Sequence, residues 1–448
     1  MTATIETSIG DQRGLGPLAI NHSRAIYEAQ RCLYCFNAPC TQACPVHIDI
    51  PGFIKRIQED NLEGSYEILF QPNPFATVCG LACPTTDLCE GACVLPDIGQ
   101  RPIQIGALQY YVARNLQIPE KPGSQDRPEK VAIVGGGPSG LSCAIALRRI
   151  GHDVHLFESN LALGGLMEQV IPAYRLPQDA IDHDLGRLSS LGIDVSLGHP
   201  IDTGSLEKIV EEFAAIFLCP GLQKRDQLSI SGMELSGVGG ALEYLQAARL
   251  FAHGEGPQPE LGECVVVVGG GNVALDTASM AKRLGTERVV VLYRRTMKEM
   301  PGWRSEFIEA ASLGIEFRWL STMTRIKGMD GEVRSVEVQP MRLTITQEDG
   351  RRGVEPDPIS TPYEFPCNSI LIALGQSLDP ELVNALSLSV NTKGMIDVYP
   401  DTFQTANPKI FAGGEAISGG ATIVQSIAQG MAAGKAIHSW LSSQGSAK

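Results

Sequence analysis

The sequence predicts an α-helical N-terminal domain followed by an α/β region with two Rossmann-like domains, the second inserted in the first. Eight of the 12 cysteines lie within Cys32–Cys93, among short amphipathic segments. Residues 131–158 resemble residues 265–295, and each stretch reads as strand, glycine turn, helix and strand. Two apolar strands that end in glycine, 214–221 and 369–375, lie where the chain would pass between the two α/β units, which indicates an insertion.

Four segments follow from this division. Residues 1–126 are predicted to be the helical domain, 127–255 the first part of the first α/β domain, 256–371 the inserted domain, and 372–448 the part that completes the first. Residues 119–130 are rich in Pro, Gly, Ser and charge, and we interpret them as a linker.

Composition excludes several classes of protein. The chain has 36 basic and 50 acidic side chains and a net charge of −14, so no positive field attracts nucleic acid or an anionic membrane. No stretch approaches the ~18–20 apolar residues of a membrane span. Residues 1–16 carry no readable secretion signal, so we expect a cytoplasmic protein with reduced thiols.

The clustered cysteines form two groups with regular spacing: Cys32, Cys35, Cys40 and Cys44, and then Cys79, Cys83, Cys89 and Cys93. Disulfides are disfavoured because no secretion signal is present. Structural zinc prefers paired C-x2–4-C knuckles, whereas here a single C-x2-C pair is followed by longer gaps. Close cysteines followed by a Cys-Pro pair are typical of two-cluster ferredoxins, so the spacing predicts two [4Fe–4S] clusters.

The spacing alone leaves the division of ligands open. Cross-ligation of the ferredoxin type groups the Cys-Pro cysteine, Cys44, with the last three cysteines of the second group. The first three cysteines then need a fourth ligand, which Cys79 or an oxygen atom could supply. The other four cysteines are interpreted as small buried side chains: Cys143, Cys219, Cys264 and Cys367.

A glycine motif marks the first repeat unit. Gly135, Gly137 and Gly140 follow an apolar strand and open a helix, with Pro138 and Ser139 between them. Glycines there permit a tight turn and let backbone N–H groups contact a pyrophosphate. Glu158 ends the next strand, where an acid accepts a hydrogen bond from a ribose hydroxyl, so the motif predicts a dinucleotide site.

The second repeat unit carries a similar motif with an alanine in place of the third glycine. Its predicted binding residues are Gly269, Gly271, Asn272, Val273 and Ala274.

The end of the next strand differs in charge between the two units. Tyr293 replaces the acid, Arg294 and Arg295 follow at once, and Lys298 lies close by. Arginines bind a 2′-phosphate that an acid would repel, so this motif predicts NADP(H), not NAD(H). The alternative is that the arginines are a solvated strand end. Two different dinucleotide sites in one chain indicate a flavoprotein, with FAD in the first site, that accepts hydride from a nicotinamide.

Several segments together resemble one family over nearly the whole chain. They are RCLYCFNAPCTQACPVHIDIPGFI, NPFATVCGLACPTTDLCEGAC, the GGL…IPAYRLP run, YRRTMKEMP and FAGGEAISGGATIVQSIAQG. The sequence resembles the glutamate synthase small-subunit family of FAD and iron–sulfur oxidoreductases. This family includes the N-terminal half of dihydropyrimidine dehydrogenase and the NADP-side subunit of bifurcating ferredoxin:NADP oxidoreductase.

The resemblance implies a particular ligand set. Residues 103–113 resemble dihydropyrimidine dehydrogenase best, where a glutamine at the position of Gln109 completes one cluster; glutamate is usual in glutamate synthase small subunits. The implied clusters are Cys32, Cys35, Cys40 and Gln109, and Cys44, Cys83, Cys89 and Cys93, with Cys79 a bystander.

The resemblance also implies further residues near the flavin: Gly164, Gly165, Leu166, Gly414, Glu415, Ala421, Thr422 and Ile423. Glu415 stands where the family usually has an aspartate, and Pro220 lacks the N–H donor of the usual turn at that place.

The implied function is an NADPH-oxidising electron-entry subunit that passes electrons through FAD and two [4Fe–4S] clusters to a partner. The partner would be a larger catalytic subunit with FMN and iron–sulfur centres, most closely of the dihydropyrimidine dehydrogenase type, in a hetero-oligomer. The alternatives are a glutamate synthase small subunit and a bifurcating ferredoxin:NADP oxidoreductase subunit. A zinc-binding scaffold without catalytic activity is the alternative from another class.

Overall fold

The computed structural model describes residues 20–124, 127, 129–225, 228–346, 352–420 and 422–445. These residues fold into two compact units. The larger unit is built from the described parts of 13–168, 175–224 and 376–448, and the smaller unit from those of 169–174 and 225–375.

Short helices form the N-terminal domain of the larger unit. They are α1 (His22–Gln30), α2 (Pro39–Gln42), α3 (Ile50–Gln58), α4 (Leu62–Phe70), α5 (Ala76–Ala82) and α6 (Ile105–Asn115). The start of α3 is set by Asp49, whose side chain accepts a hydrogen bond from Gly52 N at 3.0 Å. One face of α3 is apolar and buried, so the helix contributes to the core of this domain.

The first α/β segment follows. Its elements are β1 (Lys130–Val134), α7 (Pro138–Ile150), β2 (Asp153–Phe157), α8 (Leu166–Gln169), α9 (Gln178–Gly186), a 3-10 helix at Arg187–Leu191, β3 (Asp194–Ser196), α10 (Thr203–Glu212) and β4 (Ala215–Leu218). Strands β1 and β4 are almost wholly buried, as expected of central parallel strands covered on both faces.

The inserted segment is richer in strands. Its elements are β5 (Lys224–Arg225), β6 (Val238–Gly240), α11 (Ala241–His253), β7 (Cys264–Val268), α12 (Asn272–Arg283), β8 (Arg288–Tyr293), a 3-10 helix at Met297–Glu299, α13 (Arg304–Ser312), β9 (Glu316–Trp319), β10 (Ser321–Met329), β11 (Glu332–Thr346), β12 (Arg352–Pro356), β13 (Tyr363–Pro366) and β14 (Ser369–Ile372). The C-terminal elements are β15 (Gln376–Ser377), α14 (Pro380–Ala385), β16 (Ile410–Ala412), α15 (Glu415–Ser418) and α16 (Ile423–Gly445).

The sheet of the larger unit shows that the second domain is an insertion. Its strand order is β16-β4-β1-β2-β3, with parallel pairing throughout. Strand β16 pairs with β4 although the whole inserted segment separates them in the chain. The predicted fold class, a helical domain followed by two Rossmann-like domains with the second inserted in the first, is confirmed.

The smaller unit contains a second parallel sheet, with the order β6-β14-β7-β8-β9. Strand β6 precedes the predicted boundary at residue 256 but pairs with β14 of the inserted domain. An antiparallel sheet of β10, β11, β12 and β13, which no sequence motif predicts, lies in the same unit. The domain boundaries stay a prediction.

The predicted linker does not begin as an exposed segment. Glu120 is buried, and its carboxylate accepts hydrogen bonds from Arg149 Nε at 2.9 Å and Arg187 Nη2 at 2.7 Å. Its start is therefore anchored to the α/β part of the larger unit, which composition could not reveal. Among the described residues, no helix combines the length and the apolar character needed to cross a membrane.

Candidate functional site

The first glycine turn joins β1 to α7 and has the shape of a phosphate-binding loop. Gly135 has a φ of +115°, and a Cβ there would lie 2.3 Å from the carbonyl oxygen of Cys219. A Cβ on Gly140 would lie 2.0 Å from the oxygen of Gly135, so helix and strand pack too closely for any side chain. Gly137 instead borders open space, with the nearest atom, Gly165 Cα, 4.0 Å from its Cβ position. Pro138 begins the helix, where a missing N–H costs nothing.

Glu158 lies at this turn, as predicted from its place after β2. It is 5% exposed and accepts a hydrogen bond from Gly136 N at 2.7 Å. It also accepts hydrogen bonds from Asn160 N at 2.8 Å and Asn160 Nδ2 at 2.7 Å. The carboxylate is therefore held at the turn by hydrogen bonds from neighbouring residues.

Two of the residues predicted from the family resemblance, Gly164 and Gly165, lie against the same turn. Gly164 and Gly165 both have positive φ, and a Cβ on Gly165 would approach Gly137 Cα to 3.0 Å. Leu166 begins α8 directly after them.

The C-terminal segment approaches the turn from another side. A Cβ on Gly414 would lie 3.1 Å from Ser139 Cβ, and Glu415 follows as the first residue of α15. Ser139 Oγ is buried and has no hydrogen-bond partner. This unpartnered hydroxyl and the open space at Gly137 fit a bound dinucleotide phosphate.

Helix α16 begins at Ile423, directly after Thr422. Thr422 Oγ1 accepts a hydrogen bond from Gln425 N at 3.2 Å, and Thr422 N donates to Gln425 Oε1 at 2.9 Å. Ala421 lies outside the described residues.

The second glycine turn, between β7 and α12, repeats this geometry in the smaller unit. Gly269 has a φ of +147°, and a Cβ there would lie 2.2 Å from the carbonyl oxygen of Ala373. Gly271 has nothing within 4 Å of its Cβ position, which leaves the N-terminus of α12 accessible to a phosphate. Asn272 Oδ1 accepts a hydrogen bond from Trp303 N at 2.9 Å. Val273 and the buried Ala274 form the first turn of the helix.

The structure separates the two arginines that follow β8. Arg294 and Lys298 are exposed, whereas Arg295 is 6% exposed and its Nε donates to the backbone oxygen of Arg352 at 2.7 Å. The expectation that both arginines contact a 2′-phosphate is therefore corrected. Arg295 is buried and hydrogen-bonds to the backbone of Arg352 instead.

Tyr293, in the position of the acid, lies against the second glycine turn. A Cβ on Gly270 would lie 2.4 Å from its ring, and its hydroxyl donates to Glu299 O at 2.8 Å. Arg352 pairs with the Glu299 carboxylate, with Nε donating to Oε1 at 2.8 Å. The sequence gives no signal for Arg352, because it lies more than 50 residues from its partner.

Three cysteines of the first group line one pocket. They share it with Cys93, a cysteine of the second group. The pocket is bordered by Cys32, Cys35, Cys40 and Cys93. Burial raises the pKa of Cys40 to about 11, and the neighbouring Cys32 and Cys93 add to this shift. Cys93 therefore lies with the first three cysteines, not with Cys44.

The second group lies around α5. A hydrogen bond with Cys79, together with burial, raises the pKa of the Cys83 thiol, and Cys89 and Cys44 contribute to the same shift. Cys79, predicted to be a bystander, is thus part of this group, although its Sγ also lies 3.9 Å from Asn73 Oδ1.

Gln109 lies beside α5 and is not among the residues that line the pocket of the first three cysteines. Its Nε2 donates to the carbonyl oxygen of Ala76 at 2.8 Å. The implied set of Cys32, Cys35, Cys40 and Gln109 stays a prediction, and the pocket lining favours Cys93 as the fourth member of that set.

The described residues contain no set of three His, Cys, Asp or Glu side chains arranged to hold a single metal ion. Two groups of soft thiols, one of them lining a pocket, fit iron–sulfur ligation, because cluster iron binds thiolates and neutralises the charge that burial disfavours at Cys40 and Cys83.

Comparison with known proteins agrees with this description. Residues 17–120 match the family described as dihydropyrimidine dehydrogenase domain II, 4Fe-4S cluster. Residues 129–431 match the family described as pyridine nucleotide-disulphide oxidoreductase, with a further match at 99–198.

Curated relatives cover most of the chain. It is 31% identical to the NAD-dependent dihydropyrimidine dehydrogenase subunit PreT of Escherichia coli K12, over 93% of this chain and 94% of that protein. It is 32% identical to the glutamate synthase [NADPH] small chain of Halomonas elongata, over 93% of this chain and 91% of that protein. It is 30% identical to the NADP(+)-dependent formate dehydrogenase subunit beta of Moorella thermoacetica, and spans only 63% of the length of that relative.

Solved structures share the fold at low identity. FprA of Mycobacterium tuberculosis in complex with NADPH superposes with a TM-score of 0.60 at 18% identity, over 72% of this chain and 86% of that chain. Lactococcus lactis thioredoxin reductase gives a TM-score of 0.52 at 20% identity, over 70% and 99%.

The fold and these sites define a pyridine-nucleotide oxidoreductase with an attached iron–sulfur domain. The chain belongs to the glutamate synthase small-subunit family of FAD and iron–sulfur oxidoreductases. It is therefore an electron-transfer enzyme, and the expectation of flavin, nicotinamide and [4Fe–4S] cofactors is confirmed at the level of cofactor class.

Proposed function

We propose that this chain is the electron-entry subunit of a larger complex: it oxidises NADPH and delivers the electrons to a separate catalytic subunit. The proposal rests on which sites the larger unit contains. The first glycine turn and both cysteine groups belong to one compact body, so a flavin site and one-electron carriers share a single scaffold.

The first glycine turn is proposed as the FAD site. The backbone N–H groups at the start of α7 and the Ser139 hydroxyl would bind the pyrophosphate, and Glu158 the ribose. Gly164, Gly165, Gly414 and Thr422 line the same region or belong to the segments that reach it. When bound, the flavin accepts a hydride from a nicotinamide and gives up single electrons, which the clusters carry.

The second glycine turn is proposed as the NADPH site. The N-terminus of α12 would bind the pyrophosphate, and the exposed Arg294 and Lys298 the 2′-phosphate. The relatives do not agree on the nucleotide, since PreT is named NAD-dependent and the glutamate synthase chain is named for NADPH. The charge at this strand end supports NADPH.

The proposed clusters follow the pocket of the first cysteine group and the cysteines around α5. The first is held by Cys32, Cys35, Cys40 and Cys93. The second is held by Cys44, Cys83, Cys89 and Gln109. Gln109 is favoured over Cys79 because its Nε2 is bound to Ala76 O, which leaves the amide oxygen for iron, whereas the Cys79 thiol points toward Asn73.

The proposed partner is a larger FMN and iron–sulfur subunit of the dihydropyrimidine dehydrogenase type, in a hetero-oligomer. Gln109 supports this class, because the alternative family of glutamate synthase usually has glutamate there. Similar identity to the glutamate synthase small chain keeps that enzyme as the second candidate.

The test uses anaerobically purified protein. The expected preparation contains flavin, iron and acid-labile sulfide, reduces an artificial acceptor with NADPH, and leaves uracil unchanged until a pyrimidine-reducing partner is added. Uracil reduction by the chain alone, or a colourless protein with stoichiometric zinc, would contradict the proposal. Electron delivery to a glutamate-forming partner but not to a pyrimidine-reducing one would favour the second candidate.

A further inference from the structure

Helix α5, which carries Cys79 and ends just before Cys83, is capped by another domain. Its own N-cap residue, Phe75, offers no side-chain acceptor. The N–H of Val78 instead donates to Asp184 Oδ2 at 3.0 Å, and Asp184 belongs to α9 of the first α/β domain. The first turn of the cysteine-bearing helix is thus completed by a residue 106 positions away in the chain.

The burial of Asp184 indicates that this contact is specific. The residue is 0% exposed, and a buried carboxylate is costly unless hydrogen bonds compensate for its lost hydration. The preceding residue, His183, makes a second contact with the same helix, since its Nδ1 lies 3.1 Å from Thr77 Oγ1. The other ring nitrogen of His183 lies 3.1 Å from Leu116 O, which fixes the ring between two parts of the helical domain.

Arg187 extends the contact to the segment before α5. It is 3% exposed, and its Nη1 donates to Pro74 O at 2.9 Å. Its guanidinium lies 3.8 Å from the centroid of the Phe70 ring and is neutralised by Glu120 at 2.7 Å. His183, Asp184 and Arg187 therefore hold residues 70–78 from one side, directly ahead of the second cysteine group.

We propose that Asp184 is a positioning residue for electron transfer: with His183 and Arg187, it holds α5 and the second cysteine group at a fixed place against the flavin-binding domain. We call these three residues the α9 clamp. The inference rests on the proposed cluster ligation by the second group. Its physical basis is that the clamp belongs to the domain with the first glycine turn, whereas the helix it holds leads directly into Cys83. Loosening the clamp would let the second group move relative to the flavin site while both cofactor sites remain intact.

The experiment separates flavin reduction from cluster reduction. Asp184→Leu removes the acceptor at similar size, Asp184→Asn keeps one acceptor oxygen, and Asp182→Leu on the exposed face of α9 is the matched control. Flavin, iron and acid-labile sulfide are measured first. Rapid mixing with NADPH then follows bleaching of the flavin band, and freeze-quench electron paramagnetic resonance follows the appearance of reduced clusters.

The expected result is a split between the two rates. In Asp184→Leu the flavin is bleached at the wild-type rate, but the clusters are reduced about tenfold more slowly. Losing one charge-assisted hydrogen bond lowers the fraction of molecules in which α5 is held in place by about this factor. Asp184→Asn restores most of the rate, and Asp182→Leu behaves as wild type. Loss of iron from the second group would instead show that Asp184 maintains the cluster site itself, and would overturn the positioning role.

Wild-type rates of cluster reduction in Asp184→Leu would overturn the proposal. If this variant does not fold, Thr77→Val, which removes only the contact to His183, gives the same test at smaller amplitude. Clusters missing from the wild-type protein would refute the proposed function itself, so the two failures are distinguishable.

Discussion

The sharpest test of the proposed flavin site is the contrast between two glycines of one turn. Gly137 has a φ of −79° and open space at its Cβ position, with the nearest atom 4.0 Å away. An alanine there fits the fold, and it should change stability by no more than the ~0.4–1 kcal/mol gained from a stiffer unfolded chain. The added methyl group would instead occupy the space proposed for the pyrophosphate.

The expected loss is therefore in flavin binding. Displacing the phosphate from one N–H group removes a hydrogen bond to a charged partner, which is worth ~1.5–3 kcal/mol. This corresponds to a roughly 10- to 100-fold weaker flavin affinity. Gly140→Ala should do the opposite: its Cβ would lie 2.0 Å from Gly135 O, so the apoprotein itself should lose ~1–3 kcal/mol through overpacking.

Two measurements on each variant distinguish these effects. Denaturant unfolding of the flavin-free protein gives the free energy of unfolding, and flavin retained after gel filtration, followed by titration, gives affinity. We expect Gly137→Ala to be stable and flavin-poor, and Gly140→Ala to be unstable. Wild-type flavin affinity in Gly137→Ala would refute the assignment of this turn as the pyrophosphate site.

Three further predictions concern the nicotinamide, the clusters and pH. Arg294→Ala should raise the KM for NADPH roughly 10- to 100-fold and leave the KM for NADH unchanged, as steady-state kinetics would show. An unchanged preference for NADPH would contradict the assignment of Arg294 to the 2′-phosphate. Cys93→Ser should remove about half of the iron, whereas Cys79→Ser should keep it all, as iron and sulfide analysis would reveal; the reverse pattern would reject the proposed ligands. His152 Nε2 lies 3.0 Å from His438 Nδ1, and burial, with the charge of His438, lowers the pKa of His152 below its usual 6.5. Because the unfolded chain then binds the proton more readily, the free energy of unfolding should fall as pH drops below 6.5. His152→Asn should flatten this dependence in urea titrations, and an equal fall in both proteins would exclude His152 as its source.

The sequence and the structure agree best where a pattern is local. The two glycine turns were predicted from a few consecutive residues, because positive φ and close backbone approach require glycine whatever surrounds them. The insertion was predicted from a repeat and two apolar strands, and the pairing of β16 with β4 bears it out.

The differences arise where distant segments meet. The ferredoxin-type spacing groups Cys93 with Cys44, but in the folded chain Cys93 lines the same pocket as Cys32. Arg295 reads like its neighbour Arg294, yet the fold buries one and exposes the other. The antiparallel strands β10–β13 gave no motif, since their apolar residues resemble those of any strand.

The amino-acid order alone determined which chemistry the chain can support: soft thiol ligands, two phosphate-binding turns and a basic strand end. These depend on residue type and short spacing, which persist in any conformation. Only the folded chain decided which thiols share a pocket, which arginine faces solvent, and that Asp184 completes the helix leading to Cys83. Such contacts join residues far apart in the chain, and their geometry exists only after the packing of whole helices and sheets has brought them together.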